Sequence, residues 1–564
     1  MSNYNQLYTK QGKNLSGTPW NIYPRPLLKR NSFFCLNGKW DFEISKNSEL
    51  PADYSKTILV PFCPESLLSG VNISIADKTY LFYKTDFTLP KNFINQRVIL
   101  NFGAADNIAD IYLNGKHIGT HCGGYFPFSF EITNEILENN TLIVRTYDDL
   151  SDNLYPYGKQ KQKRGGMWYT PVSGLWQTVW LESVPTEYIE KIDTVTENNK
   201  VTITATGVKT ATVILDNKEY KMEDGVCETI IENPVYWSPE NPYLYNFKIK
   251  TEYESVESYF ALRTLEIKEI DGVSRLLLNG KPYFFHGVLD QGYFSDGLFT
   301  PASPECFTEE ILRLKSLGFN MLRKHIKIEP EFFYYECDRL GIAVFQDMVN
   351  NGKYSFLGDT ALPTVGFKSK NDKHSHKNPK TREIFMDSMK KTVALLKNHP
   401  SICEWTIFNE GWGQFNSSAM YDLLKSIDAT RFIDSASGWF KGGKNDFDSH
   451  HVYFKKYKFA PSKKPVFLSE FGGYAFAVKE HLFNPKKSFG YKTLKNKEEL
   501  NSAVEKLYLE QVIPAIKNGL CAAVYTQVSD VEDEINGLFT YDRKVIKVSK
   551  KVMKKIAKEI YKNI

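Results

Sequence analysis

The chain has 564 residues, too many for one hydrophobic core, so roughly two to four domains are expected. Its 42% hydrophobic and 24% charged residues describe an ordinary globular protein, and 71 basic against 66 acidic residues leave a formal charge of +5, too even a balance for a nucleic-acid binder. The first ten residues lack the apolar stretch of a signal peptide and no run of about eighteen apolar residues occurs, so no membrane-spanning helix is expected and the cytoplasm is the expected compartment.

Residues 1 to about 185 read as an all-β unit. Short alternating runs, Arg97–Phe102, Ala109–Leu113 and Thr141–Thr146, are separated by Asn-Gly and Gly-Gly turns, and no long helical pattern interrupts them. A second β unit covers 186–267, with Val201–Thr206, Ala211–Leu215 and Tyr245–Lys250 as strands of a small sandwich and Trp237–Tyr245 as a Pro-rich crossing. From 268 to 564 strands alternate with helices, the pattern of parallel βα units. Barrel strands are expected at 283–288, 319–323, 342–347, 402–409, 432–436, 448–453, 465–470 and 521–526, the number a closed (β/α)8 barrel needs, with helices at 304–317, 329–340 and 380–398 between them. Near the C-terminus Val545, Val548, Val552 and Ile556 recur at helical spacing among lysines, as on a solvated amphipathic helix. The eight cysteines form no C-x-x-C pair and no metal-ligand spacing, and are expected to be free buried thiols.

Two glutamates carry the chemistry. Glu410 closes the run Ser401–Glu410 and Glu470 closes Pro465–Glu470; each follows a mostly apolar β-prone stretch and stands just ahead of glycine. On the strand count they end the fourth and seventh barrel strands, at the face where barrel enzymes keep their catalytic groups. Hydrolysis of a glycosidic bond with retention needs two carboxyl groups roughly 5 to 5.5 Å apart, one protonating the leaving oxygen and one attacking the anomeric carbon. Glu410 is the expected acid/base, because its neighbour Asn409 can hold the sugar's 2-hydroxyl, and Glu470 is the expected nucleophile.

Other side chains at strand exits are expected to serve this pair. His325 can donate to a sugar hydroxyl or to the nucleophile, Arg323 can steady Glu470 and depress its pKa, and Tyr453 can hydrogen-bond it. Asp290 is placed as a hydroxyl acceptor, with Trp412, Trp439 and Tyr474 as stacking platforms. His450 and His451 point to opposite faces of a strand, so they make a poor metal pair; His450 is assigned to the site and no metal ligand set is expected.

Landmarks along the whole chain resemble glycoside hydrolase family 2, which includes β-galactosidases, β-glucuronidases and β-mannosidases. They are Leu36–Phe42, Val172–Glu182, Leu278–Pro282, Phe408–Trp412 with its Asn-Glu pair, and Ser469–Gly473. The resemblance implies a jelly-roll sugar-binding-like domain, an immunoglobulin-like sandwich and a catalytic barrel, with the glutamate after Asn as acid/base, the later one as nucleophile, and no cofactor. It implies an oligosaccharide or glycoside substrate, and a homo-oligomer is compatible with it.

The substrate-reading positions depart from familiar members. Glu534 and Asn536 stand where glucuronidases carry an Asn-x-Lys pair, Trp168 stands in place of an Asp, and Tyr525 lies near the place of a strand-end Trp. Glu534 is expected to repel an anionic sugar, with Lys163, Arg164 and Lys324 as other sources of positive charge. The first expectation is therefore a retaining exo-β-glycosidase of β-galactosidase type. A β-uronidase or arabinosidase is the alternative, and a non-catalytic carbohydrate-binding protein the reading from another class.

Overall fold

A computed structural model describes residues 4–362, 372–438, 440–441, 443–453 and 455–564. The first β unit packs a four-stranded antiparallel sheet, built on Arg97–Phe102 and Val179–Val184, against a six-stranded one built on Thr79–Phe87 and Asn140–Asp148. Their inner faces alternate with polar outer positions and meet in a core of Trp40, Phe42, Tyr83, Leu100, Val144 and Leu181. The second unit is a smaller sandwich of three and four strands. The strict inside-outside alternation of Lys200–Thr206 and Tyr245–Lys250 fills its core with Val201, Ile203, Phe247 and Ile249. The Pro-rich crossing expected at 237–245 docks this unit on the next: Trp237 is fully buried and its indole N–H donates to Asp338 O at 2.7 Å.

Eight parallel strands follow: β1 Phe285–Asp290, β2 Met321–Lys324, β3 Ala343–Asp347, β4 Ile402–Thr406, β5 Phe432–Asp434, β6 Asp448–Val452, β7 Val466–Gly472 and β8 Leu520–Thr526. Their neighbours run 5-4-3-2-1-8-7-6, the cyclic order of a (β/α)8 barrel. At the seam between β5 and β6 the Asp446 N–H donates to Ile433 O at 3.1 Å. Nearly every strand residue is buried, because one side faces the barrel interior and the other the surrounding helices. Helices occupy Glu305–Leu317, Glu331–Leu340 and Pro379–Leu396, close to the expected spans.

Several expectations need adjusting. Strand β4 stops at Thr406 rather than 409, because the chain leaves the β3 ladder there; it then follows β5, with the Ile407 N–H donating to Asp434 O. The C-terminal helix begins at Lys550, so Val545 and Val548 precede it, and Met553, Ile556, Ala557 and Ile560 form its buried face. All eight cysteines are free, but Cys122 is exposed and Cys35 half-buried. Among the described residues no helix is long and apolar enough to cross a membrane.

Candidate active site

The C-terminal ends of β4 and β7 bring Glu410 and Glu470 face to face, with an oxygen of each within 4.8 Å of the other. Each is held by unusual backbone. Glu410 has φ +53°, in the left-handed region that a non-glycine residue seldom adopts, and Gly411 follows at φ +76°. A Cβ on Gly411 would lie 2.2 Å from the Phe440 ring, so glycine is required there. The turn is pinned to the chain after β5: the Glu410 N–H donates to Ser437 O at 2.9 Å, and the Ser437 N–H to Phe408 O at 2.8 Å. Glu470 lies where the β7 ladder slips register against both β6 and β8, and such a bulge re-aims a side chain.

Glu470 sits among donors. Arg323, with no exposed surface, extends its fork to three side-chain oxygens and a carbonyl: Nη1 lies 3.2 Å from Glu470 Oε1 and 3.1 Å from Ser469 O, Nε 2.9 Å from Asp347 Oδ1, and Nη2 2.9 Å from Asn409 Oδ1. His325 Nδ1 bonds Asp347 Oδ2 at 2.7 Å and stands 4.0 Å from Glu470 Oε1. The Tyr453 hydroxyl donates to Glu470 Oε2 and lies 2.9 Å from Thr526 Oγ1. Burial pushes the Glu470 carboxyl up, but His451, Arg323 and His325 together with the Tyr453 hydrogen bond overcome it and hold the group down to about 2. Glu470 is therefore ionised at neutral pH, as a nucleophile must be.

Glu410 is more open, its side chain 15% exposed against 6% for Glu470. His451 bridges the two, Nδ1 lying 2.8 Å from Glu410 Oε1 and 3.5 Å from Glu470 Oε2. A cavity of about 620 Å³ opens beside Glu410, lined by Gly411, Gln414, His376 and Phe440, rather than over Glu470. Glu410, His451 and Glu470 have the spacing of cation ligands, yet the oxygens of Glu470 already serve Arg323 and Tyr453 and Glu410 Oε1 serves His451. That arrangement suits proton and glycosyl exchange at the carboxylates themselves.

Family profiles cover most of the chain. The profile described as "Glycosyl hydrolases family 2, TIM barrel domain" matches residues 268–560, a "galactose-binding domain-like" profile of the same family matches 61–171, and "Glycosyl hydrolases family 2" matches 184–263. The chain belongs to glycoside hydrolase family 2. A β-galactosidase of Thermoanaerobacter pseudethanolicus is 26% identical over 384 residues, covering 62% of this chain and 47% of that protein. Human β-glucuronidase is 26% identical over 413 residues, covering 64% and 59%. The chain thus spans about half the length of the relatives it matches. Among solved structures, a β-glucuronidase from an uncultured Clostridium superposes with TM-score 0.72 at 19% identity, covering 96% of this chain and 99% of that one. A family 2 β-galacturonidase of Eisenbergiella tayi bound to galacturonate gives 0.67 at 17% identity, with 96% and 99% covered.

Within this family 2 site, Asn409, Arg323, His325 and Tyr453 gather round the two glutamates. Other expected groups do different work. Asp290 is no free acceptor: Lys324 Nζ holds its Oδ2 and the Gly292 N–H donates to Oδ1 at 2.8 Å. His450 lies on the outer side of β6, 3.2 Å from Asp448, and His451 reaches the site instead, because successive strand residues alternate faces. Trp412 is only 2% exposed, wedged edge-on between Tyr354 and Trp168, so it packs rather than presents a face. Lys324 and Arg164 are both consumed by carboxylates, Asp290 and Glu329 for the first, Glu532 and Asp533 for the second. Trp439 lies outside the described residues.

Asp347 and Tyr491 also belong to this cluster. Tyr491 stacks on Tyr453 with ring centroids 3.7 Å apart, and a Cβ on Gly473 would lie 2.3 Å from its ring. The second glycine after Glu470 is thus a clearance for Tyr491, the one trace of that contact in the sequence.

Replacing Arg323 tests its hold on Glu470. Because the Glu470 carboxyl is held below its unfolded value, it contributes stability that is present above about pH 4.3 and lost as pH falls toward 2. In Arg323→Gln the acid limb of the kcat/KM profile is expected to rise by about one to three pH units. An unmoved limb would remove Arg323 from that role.

Proposed function

We propose that the protein is a retaining exo-β-glycosidase that takes β-uronides ahead of β-galactosides. The observation that carries the hydrolase reading is the pair of carboxylates whose oxygens lie within 4.8 Å at the barrel mouth, on the scale of the roughly 5 to 5.5 Å of retaining pairs and below the roughly 6.5 to 9.5 Å of inverting ones. Glu470 attacks the anomeric carbon while Glu410 gives its proton to the departing oxygen. Glu410 then takes a proton from the water that releases the sugar from Glu470. Asn409 Oδ1 is engaged by Arg323, which leaves the amide N–H groups to meet the 2-hydroxyl.

Two points support uronides over the galactosides first expected. Of eight relatives 23 to 27% identical to this chain, six are β-glucuronidases and two β-galactosidases. The repulsion expected from Glu534 is also weaker than its charge suggests. Its oxygens accept from Tyr169 at 2.6 Å and Asn536 at 2.9 Å, and burial pushes the carboxyl up, toward its neutral form. A panel of 4-nitrophenyl glycosides tests the reading: release from β-glucuronide or β-galacturonide should exceed release from β-galactoside. No release from any β-glycoside would remove the hydrolase reading itself.

A further inference from the structure

A loop of the first domain, residues 157–169, crosses the barrel mouth and is fixed there from several sides. The Tyr157 N–H donates to Asn350 O at 3.1 Å and the Tyr157 hydroxyl to Gly352 O at 2.8 Å, both after β3. The Tyr169 hydroxyl donates to Glu534 beyond β8, and the Tyr169 N–H donates to Lys159 O at 2.9 Å, tying the two arms of the loop together. Gly158, at φ +62°, runs so close to the chain after β2 that a Cβ would lie 2.8 Å from Ile326 O. Lys159 is thereby carried into the mouth of the barrel with only 8% of its surface exposed.

Among the described residues the other buried lysines each hold a carboxylate: Lys324 holds Asp290 and Glu329, Lys327 holds Glu329, and Lys547 holds Asp530. The Lys159 side chain makes no hydrogen bond or ion pair among them; its ammonium stands 6.0 Å from the centroid of the Trp168 ring. A buried ammonium with no carboxylate in hydrogen-bonding contact is costly, and the pinned loop holds it in place. Its position relative to the chemistry is defined by two neighbours. The Lys159 charge acts on His325, which stands 4.0 Å from Glu470, and on Glu534, which lies within electrostatic reach of Glu470. Both oxygens of Glu534 serve Tyr169 and Asn536, so this carboxylate meets the Lys159 charge only across a distance and not in a hydrogen-bonded pair.

We propose that Lys159 is the specificity-determining cation of this site, pairing with a carboxylate carried by the terminal sugar of the substrate. This deepens the uronide reading and rests on it. The cation comes from the first domain, whereas Glu534 and Asn536 occupy the barrel positions where glucuronidases of the family carry an Asn-x-Lys pair. Lys159 and Trp168 would then act together, one taking the charged substituent and the other closing the pocket beside it.

Lys159→Met and Lys159→Arg, each checked by thermal melting, provide the test. With 4-nitrophenyl β-D-glucuronide or β-D-galacturonide, Lys159→Met should lose about 100-fold in kcat/KM, the scale of one charge-assisted hydrogen bond, mostly through KM. The methyl esters of the same glycosides, which carry no charge, should change less than about threefold, and Lys159→Arg should recover part of the loss. Equal losses on acid and ester would make Lys159 a structural residue and overturn the proposal, as would an unchanged uronide rate. Binding of free D-glucuronate and D-galacturonate against D-glucose and D-galactose, by calorimetry, separates this proposal from the hydrolytic one. A preference for the uronates that disappears in Lys159→Met, in a protein that cleaves no glycoside, would retain the anchor and remove the hydrolase. Equal binding of uronate and neutral hexose by the unaltered protein would remove the anchor.

Discussion

Glu470→Gln is expected to lower kcat by at least about 10⁴-fold on every substrate the protein cleaves, whatever the leaving group. The reason is local. An amide is as large as the carboxylate and can still accept from Arg323 at Oε1, while its N–H2 meets the Tyr453 hydroxyl, an oxygen able to accept as well as donate. The site should therefore keep its shape and lose only the nucleophile. Melting at neutral pH should fall by the stability the ionised carboxylate contributes, while sugar binding should stay near that of the unaltered protein. A 2-fluoro sugar with an activated leaving group should label the unaltered protein on Glu470, located by mass spectrometry, and leave Glu470→Gln unlabelled. A label on any other residue would reassign the nucleophile.

Much of this site was legible because barrel chemistry is tied to strand ends. The eight βα periods are visible as apolar β-prone runs separated by helical spacing, and a carboxylate at the end of such a run has few places to go but the mouth. Arg323, His325 and Tyr453 were found by the same rule. The rule fails where a strand end does not decide direction. At Asp290 the residue stands at the right height, but Lys324 beside it on β2 takes its charge into the wall of the barrel. At the His450-His451 pair alternation fixes that only one points inward, but which one depends on the register of β6 against β7, and that ladder slips between these two residues.

What the sequence hid lies mainly outside the barrel strands. Tyr491 arrives on the long segment after β7, and Lys159 on a loop of another domain more than 300 residues from Glu470. No periodicity connects such segments to the site; they are placed by tertiary hydrogen bonds such as Tyr157 to Asn350 and Tyr169 to Glu534. Composition misled in the same region. Lys163, Arg164 and Lys324 were all visible as charges near familiar specificity positions, yet the structure pairs Arg164 and Lys324 with carboxylates and leaves the unpaired buried lysine at 159.

Glu410→Ala should separate substrates by their leaving groups, in contrast to the uniform loss at Glu470. A 2,4-dinitrophenyl aglycone departs without a proton, so kcat/KM, which reports formation of the glycosyl-enzyme, should fall less than about tenfold; an alkyl aglycone needs the proton and should lose about 10³-fold or more. Breakdown of that intermediate also needs Glu410, as the base that activates water, so the activated substrate should show a fast burst followed by slow turnover. Glu410 is the more exposed of the two carboxylates, and truncation removes the partner of His451 Nδ1 without disturbing the Arg323 and Tyr453 contacts to Glu470. A small anion such as azide can enter the vacated space and attack the intermediate without base assistance, so azide should speed the slow phase and yield the β-glycosyl azide, whose configuration reports two displacements. Equal losses on activated and alkyl substrates, with no burst, would show that Glu410 is not the proton donor and would leave its strained turn without a catalytic reason.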